Sequence, residues 1–134
     1  MAEYSGSALY LQWVYSGGTV TIHSDFRTFT LNKSITTYDT TAGADSSMTR
    51  IAGIKDANWS VNYLAQVGGT ATEDAFAEGT EGTLYAGPEG TASGKRKFTL
   101  PGIVTAYNIN QPYNNVVEHT INWEETAAIT DGTY

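Results

Sequence analysis

Residues 48–67 read MTRIAGIKDANWSVNYLAQV. In the second half of this stretch Trp59, Val61, Tyr63, Ala65 and Val67 fall on one side. Asn58, Ser60, Asn62 and Gln66 fall on the other, and Leu64 alone breaks the rule. Successive side chains of a strand point to opposite faces, so the alternation predicts one long strand with one buried face. A helix would instead repeat its apolar positions every three or four residues. Gly53-Ile54-Lys55-Asp56 reads as the turn that leads into this strand, with an Asp able to bond its own backbone.

Working outward, the same period recurs. Leu9, Leu11, Trp13 and Tyr15 share a face, Ser16-Gly17-Gly18 reads as a hairpin turn, and residues 19–23 return with Val20 and Ile22 inward. Residues 25–31 are β-prone, and Asn32-Lys33 reads as a turn back. Residues 81–86, 97–100 and 103–110 are three further strands; Pro101-Gly102, lacking an N–H at the proline, reads as an interruption, an edge or a bulge. In the last strong strand, residues 116–124, Val117, His119, Ile121 and Trp123 point inward and Glu118, Thr120, Asn122 and Glu124 outward. Trp13, Trp59, Val61, Tyr63, Ile121 and Trp123 are therefore the expected core. One short helix is expected at about 70–79, capped by Thr70, with Glu73 completing a capping box and Gly79 closing it. Residues 126–134 read as a polar tail with an Asp131-Gly132 turn.

The expected fold is all-β: an antiparallel sandwich or barrel of about eight strands with one short flanking helix, in a single domain spanning 1–134. No predicted helix is long enough for a parallel crossover. Residues 34–47 stand apart. They are polar, small and Thr-rich, with little to bury, and read as a mobile loop or as an arm that orders against a partner.

Composition narrows the function. The 134 residues carry 14 acids against 7 bases, a net charge of −7, which argues against a protein that grips nucleic acid with clustered cations. The one basic run is Lys95-Arg96-Lys97. With no cysteine, disulfides and thiolate metal sites are excluded. The N-terminal MAEYSGSALY lacks the pattern of a secretion signal, and no apolar run approaches the roughly 20 residues of a membrane helix. The expectation is a soluble protein made in the cytoplasm, with no membrane partner.

Chemistry is hard to place. His119 falls on a packing face, and His23 and Asp25, two apart in an extended chain, do not make a dyad. Residues 90–95, GTASGK, miss the phosphate-loop pattern: three residues separate the glycines instead of four, and Arg96 stands where Ser or Thr is required. Glu124, Glu125 and Asp131 lack calcium-loop spacing, no His pair has metal-ligand spacing, and G-x-S-x-G is absent. The expectation is no enzyme, no metal and no cofactor.

Residues 49–61, TRIAGIKDANWSV, resemble a segment of the tail tube (major tail) proteins of long-tailed bacteriophages. So do residues 82–95, GTLYAGPEGTASGK, then 101–107, PGIVTAY, and the turn at 111–117, QPYNNVV. The resemblance covers roughly residues 49–124. It implies a two-sheet β fold with a flanking helix, hexameric rings that stack into a tube, and passage of the genome through the tube at ejection. It implies that Thr40, Thr41, Asp45 and Ser47 sit on an oligomer arm that orders against a neighbouring subunit or ring. Outward-facing Glu118 and Glu124 are then candidate lumen acids past which DNA slides without specific binding. Its partners would be other copies of itself and other tail proteins, and its place the virion. The other reading is a monomeric β-sandwich binding module that presents Tyr10, Tyr38 and Tyr113 to a carbohydrate or protein.

Overall fold

The computed structural model describes residues 3, 5–22, 26–66 and 68–134. The pairing of His23 with Asp25 and the place of Val67 in the alternation lie outside the described residues. After a 3-10 turn, Gly6–Ala8, the chain forms β1 (Tyr10–Tyr15), β2 (Gly18–Thr21), β3 (Phe26–Asp39), β4 (Arg50–Leu64), α1 (Thr70–Ala75), β5 (Glu81–Gly87), β6 (Arg96–Asn110), β7 (Glu118–Glu125) and β8 (Thr130–Thr133). The strands make one antiparallel sheet in the order β2-β1-β5-β6-β7-β4-β3, with β8 paired to the start of β6.

The sheet curls until its own face closes on itself. Strands β1 and β7 are three steps apart in the order, about 14 Å if the sheet were flat. Yet the rings of Trp13 on β1 and Trp123 on β7 lie 5.6 Å apart. Phe76, just past α1, drops into this curl, 5.7 Å from Trp123 and 6.0 Å from Tyr63. The helix is fixed there by the Trp13 indole, whose Nε1–H donates to the Ala75 carbonyl at 2.9 Å. Trp13, Trp59, Val61, Tyr63, Ile121 and Trp123 are all buried, along with Leu11, Leu84 and Leu100. Neighbouring strands stack them in rows: Trp59 opposite Trp123, Val61 opposite Ile121, Tyr63 opposite His119. Glycine makes room for the indoles. A Cβ on Gly102 would stand 2.5 Å from the Trp59 ring.

Several local expectations are corrected. Asn32-Lys33 does not turn the chain; β3 runs through it to Asp39, because Asn32 and Lys33 pair with Asn58 and Ala57. Gly53-Ile54-Lys55-Asp56 is no turn either. It lies inside β4 at a register shift opposite Ile35 and Thr37, where Tyr38 packs over the bare Gly53. The hairpin reverses instead at residues 40–49. Pro101-Gly102 interrupts nothing: β6 is continuous, and Pro101 falls where β8 pairing has ended and β7 pairing begins, so its missing N–H breaks no ladder. A second shift, between Val104 and Ala106, brings both Val104 and Tyr107 to the core side, so residues 103–110 follow no single alternation. Thr70 is the first residue of the helix and not its cap. Gly69 occupies the cap with no side-chain bond, so there is no capping box, and the helix proper ends at Ala75. Ala71 is exposed, so the buried side of this segment is Ala75 and Phe76. Asp131-Gly132 lies within β8, which pairs with Arg96–Thr99 of β6; the polar tail is half strand.

Candidate assembly surfaces

The two ends of β4 differ. Residues 58–64 are sandwiched between β3 and β7, whereas residues 50–57 pair with β3 alone. The outer halves of β3 and β4 therefore leave the body as a two-stranded arm. It exposes Ile35, Tyr38, Met48, Ile51 and Ile54. Its tip is held by its own short polar side chains. Thr40 Oγ1 meets Thr49 Oγ1 at 3.0 Å, the Thr49 N–H donates to Thr41 Oγ1 at 2.8 Å, and the Ala42 N–H donates to the Asp45 carboxylate at 2.7 Å. The Thr41 N–H donates to Asp39 at 2.8 Å, which holds the Asp39 carboxyl below its ordinary range. Of the four arm residues singled out in the sequence, Thr40, Thr41 and Asp45 thus shape the tip, and Ser47 sits exposed in a bend beside them.

On the body, the outward face of β6-β7-β4-β3 is covered by no helix. Cross-strand pairs place Asn32 beside Asn58, Ser60 beside Asn122, and Asn62 beside Thr120. These groups bond laterally: the Asn32 amide donates to the Asn58 Oδ1 at 3.1 Å, and the Thr120 hydroxyl to Asn62 Oδ1 at 2.5 Å. Glu118 and Glu124 lie on this face at opposite ends of β7. Glu118 is ion-paired with Arg27 at 2.6 Å; Glu124 is exposed, flanked by Asn58 and Ile103. Among the described residues the face ends in two unpaired edges, β3 on one side and residues 105–110 of β6 on the other.

Behind this face sits the buried imidazole of His119. His119 Nδ1 faces the hydroxyls of Tyr63, at 3.0 Å, and Tyr107, while its Nε2 lies 3.8 Å from the Glu73 carboxylate. Burial, then the Tyr107 hydroxyl, pushes the Tyr63 phenol well above its ordinary range. A cavity of about 30 Å³ adjoins the group. Thr21, Thr72 and Gln66 also line that cavity. Among the described residues no three His, Asp or Glu side chains gather as a metal site, and no helix is long and apolar enough to cross a membrane. The tyrosines of the binding-module reading do not meet: Tyr38 is on the arm, Tyr113 on the loop at the opposite end of the sheet, and Tyr10 half-buried on β1.

No family model matches the chain, and no curated protein matches it. Solved structures do. The chain is similar to a protein of the tail of an empty GTA particle with C6 symmetry (TM-score 0.74, 15% identity, 98% of this chain and 100% of that one). It is similar to the SPP1 tail tube protein (TM-score 0.77, 11% identity, 98% and 80%). It also matches a protein of the anti-feeding prophage baseplate (TM-score 0.68, 7% identity, 99% and 97%). From its curled sheet to its projecting arm, the chain has the fold of phage tail tube proteins.

Proposed function

We propose that this chain is the structural subunit of a phage-type tail tube, assembling as six-membered rings that stack around a channel for the genome. The carrying observation is a four-strand face left uncovered and bounded by two open edges, on a fold shared over its whole length with a protein of a C6-symmetric tail. Open edges invite pairing with another chain. Joining the β3 edge of one copy to the β6 edge of the next extends the sheet laterally. Six copies with four strands each give a closed wall whose circumference, at about 4.8 Å per strand, is roughly 115 Å before strand tilt widens it. That corresponds to a backbone diameter of about 37 Å, which leaves a channel once side chains are placed.

The channel wall would then be the Asn, Thr and Ser face. Asn32 is bonded to Asn58 and Thr120 to Asn62, and among the described residues the cation beside them, Arg27, is committed to Glu118. Such a wall offers phosphates no free cation to grip, so DNA slides without specific binding. Glu124, and to a lesser degree the paired Glu118, supply the lumen acids; their repulsion reaches about 10 Å at 0.1 M salt. The protein acts as a virion component with other tail proteins as partners, and it catalyses nothing.

Negative-stain microscopy of the purified protein over a concentration series tests this. Hollow tubes of uniform width are the expected result. A species that stays monomeric at every concentration, even with a tail-tip initiator added, overturns the reading in favour of a binding module.

A further inference from the structure

His119 is a titratable side chain where packing alone would be served by an apolar one. It is 2% exposed, on the inward face of β7 with Ile121 and Trp123. Its imidazole has polar neighbours on three elements. Nδ1 meets the phenol hydroxyls of Tyr63 on β4, at 3.0 Å, and of Tyr107 on β6. Those two hydroxyls lie 3.4 Å apart, so they form one chain with the ring. Nε2 faces the Glu73 carboxylate on α1 at 3.8 Å. That is too far for a hydrogen bond and close enough for a charge to be felt. The adjoining cavity of about 30 Å³ leaves space for the two groups to approach.

The acids that bear on the cluster are Glu73 and, acting on Tyr107, Glu78 just past α1. On β7 itself Glu118 points to the opposite face, where Arg27 holds it. β2 and the 65–69 segment contribute Thr21, Ile22 and Gln66, none of them charged. The phenols stay protonated where an imidazole titrates. Burial, then the Tyr107 hydroxyl, holds Tyr63 well above its ordinary range; burial, with Glu73 and Glu78, raises Tyr107 against a lowering bond from Tyr63. Imidazole is the side chain whose ordinary charge change falls between pH 5 and 8. Both of its charge states can be satisfied here. A neutral ring with its proton on Nε2 accepts a phenol O–H at Nδ1. With a second proton on Nδ1 the bond reverses, and Nδ1–H donates to a phenol oxygen. Tyr107 is half-buried and can turn its own O–H to water. Protonation therefore strands no polar group, and it sets a full positive charge beside Glu73.

We propose that His119 and Glu73 form a proton-operated clasp for α1: when the imidazole takes its second proton, the Glu73 carboxylate closes on Nε2 and draws the helix onto the sheet. The movement is about 1 Å, from 3.8 Å to the roughly 2.8 Å of a charge-assisted bond. Acid therefore tightens α1, the reverse of what protonating a buried imidazole without a partner does. The added stability is present at low pH and is lost as pH rises through the range where the ring gives up that proton. Phe76, at the end of the helix and 6.0 Å from the Tyr63 ring, carries the tightening into the curl. The clasp belongs to the single chain and operates whether or not the chain builds tubes.

Hydrogen exchange of the full chain at pH 5 and pH 8, corrected for the intrinsic pH dependence of exchange, tests this. The amides of Phe76 and Ala77, bonded to the Glu73 and Asp74 carbonyls, should be at least threefold better protected at pH 5. Over the same interval the imidazole nitrogen signals should pass from the neutral to the doubly protonated pattern. In Glu73→Gln, at an exposed position, the difference in protection should vanish. Asp74→Asn, one residue on and equally exposed, should keep it. Protection that falls at pH 5 overturns the proposal, as does an imidazole still neutral there. So does a difference that survives Glu73→Gln or disappears in Asp74→Asn. His119→Gln should also lose the difference, and retaining it would overturn the clasp; if that variant does not fold, the Glu73→Gln and Asp74→Asn pair decides.

Discussion

Strand β4 is two strands in energetic terms. From Ala57 to Tyr63 its alternate residues are buried under β7, α1 and the curl of the sheet. From Arg50 to Asp56 the same backbone, in the same ladder with β3, buries nothing. The hydrogen bonds are alike in both halves, so they do not explain why one half is core and the other is arm. What differs is a third neighbour. A two-stranded ribbon alone is marginal in water. Here it is extended from a stable body, and its apolar side chains are left exposed.

Substitutions at matched positions should separate the halves. Trp59→Ala should cost about 3–5 kcal/mol, a cavity beneath Gly102 in an otherwise close-packed core; urea unfolding of the monomer reads it. Ile51→Ala, eight residues earlier in the same strand, should change that midpoint by no more than about 0.5 kcal/mol, while lowering tube yield. A large destabilisation at residue 51 would mean that the arm packs on its own body. Removing residues 40–47 and closing the hairpin with a two-residue turn should leave the body's unfolding transition in place and abolish tubes. Unchanged tubes would assign the arm no role in assembly.

Next in size is the bond that ties the helix to the curl. Trp13→Phe keeps the ring and loses the donor to Ala75, and should cost about 1 kcal/mol plus the trimmed ring; hydrogen exchange of α1 amides should rise first. Two pH effects divide the molecule along the same line. The Tyr63 phenol has its folded pKa raised above the ordinary 10.0, so its contribution is whole below pH 10.0 and is lost as pH rises beyond it. Alkaline unfolding should therefore be blunted in Tyr63→Phe. Asp39 on the arm is the opposite case. Its carboxyl is lowered from 3.8, so the bond it accepts from Thr41 is present above that value and is lost as pH falls below it. Acid should loosen the arm tip, seen as faster exchange at the Thr41 amide, without unfolding the body. That amide should already exchange faster at neutral pH in Asp39→Asn.

Much of the body was legible because burial imposes a period of two. Trp13, Trp59, Val61, Tyr63, Ile121 and Trp123 each announce their face through their neighbours, and all are buried. The arm was legible only as an excess of small polar residues at 34–47. Its true extent, from Ser34 to Asp56 across the hairpin, was hidden, because a ladder that buries nothing leaves no periodic trace in the sequence. The strand count of eight came out the same by compensation: two strands expected at 97–100 and 103–110 are one, and β8 arises from residues expected to be tail.

The sequence by itself determined the antiparallel β class, the core face of β1, β4 and β7, and the net charge of −7, since each follows from local alternation or from counting charge. Only the tertiary structure decided the curl that brings Trp13 to Trp123, the lateral bonding of the Asn and Thr face, and the ion pair between Lys33 and Asp131. Those depend on which strand lies beside which. Pairing partners in an antiparallel sheet can be many residues apart, as Lys33 and Asp131 are, and nothing in the local pattern of either residue names the other.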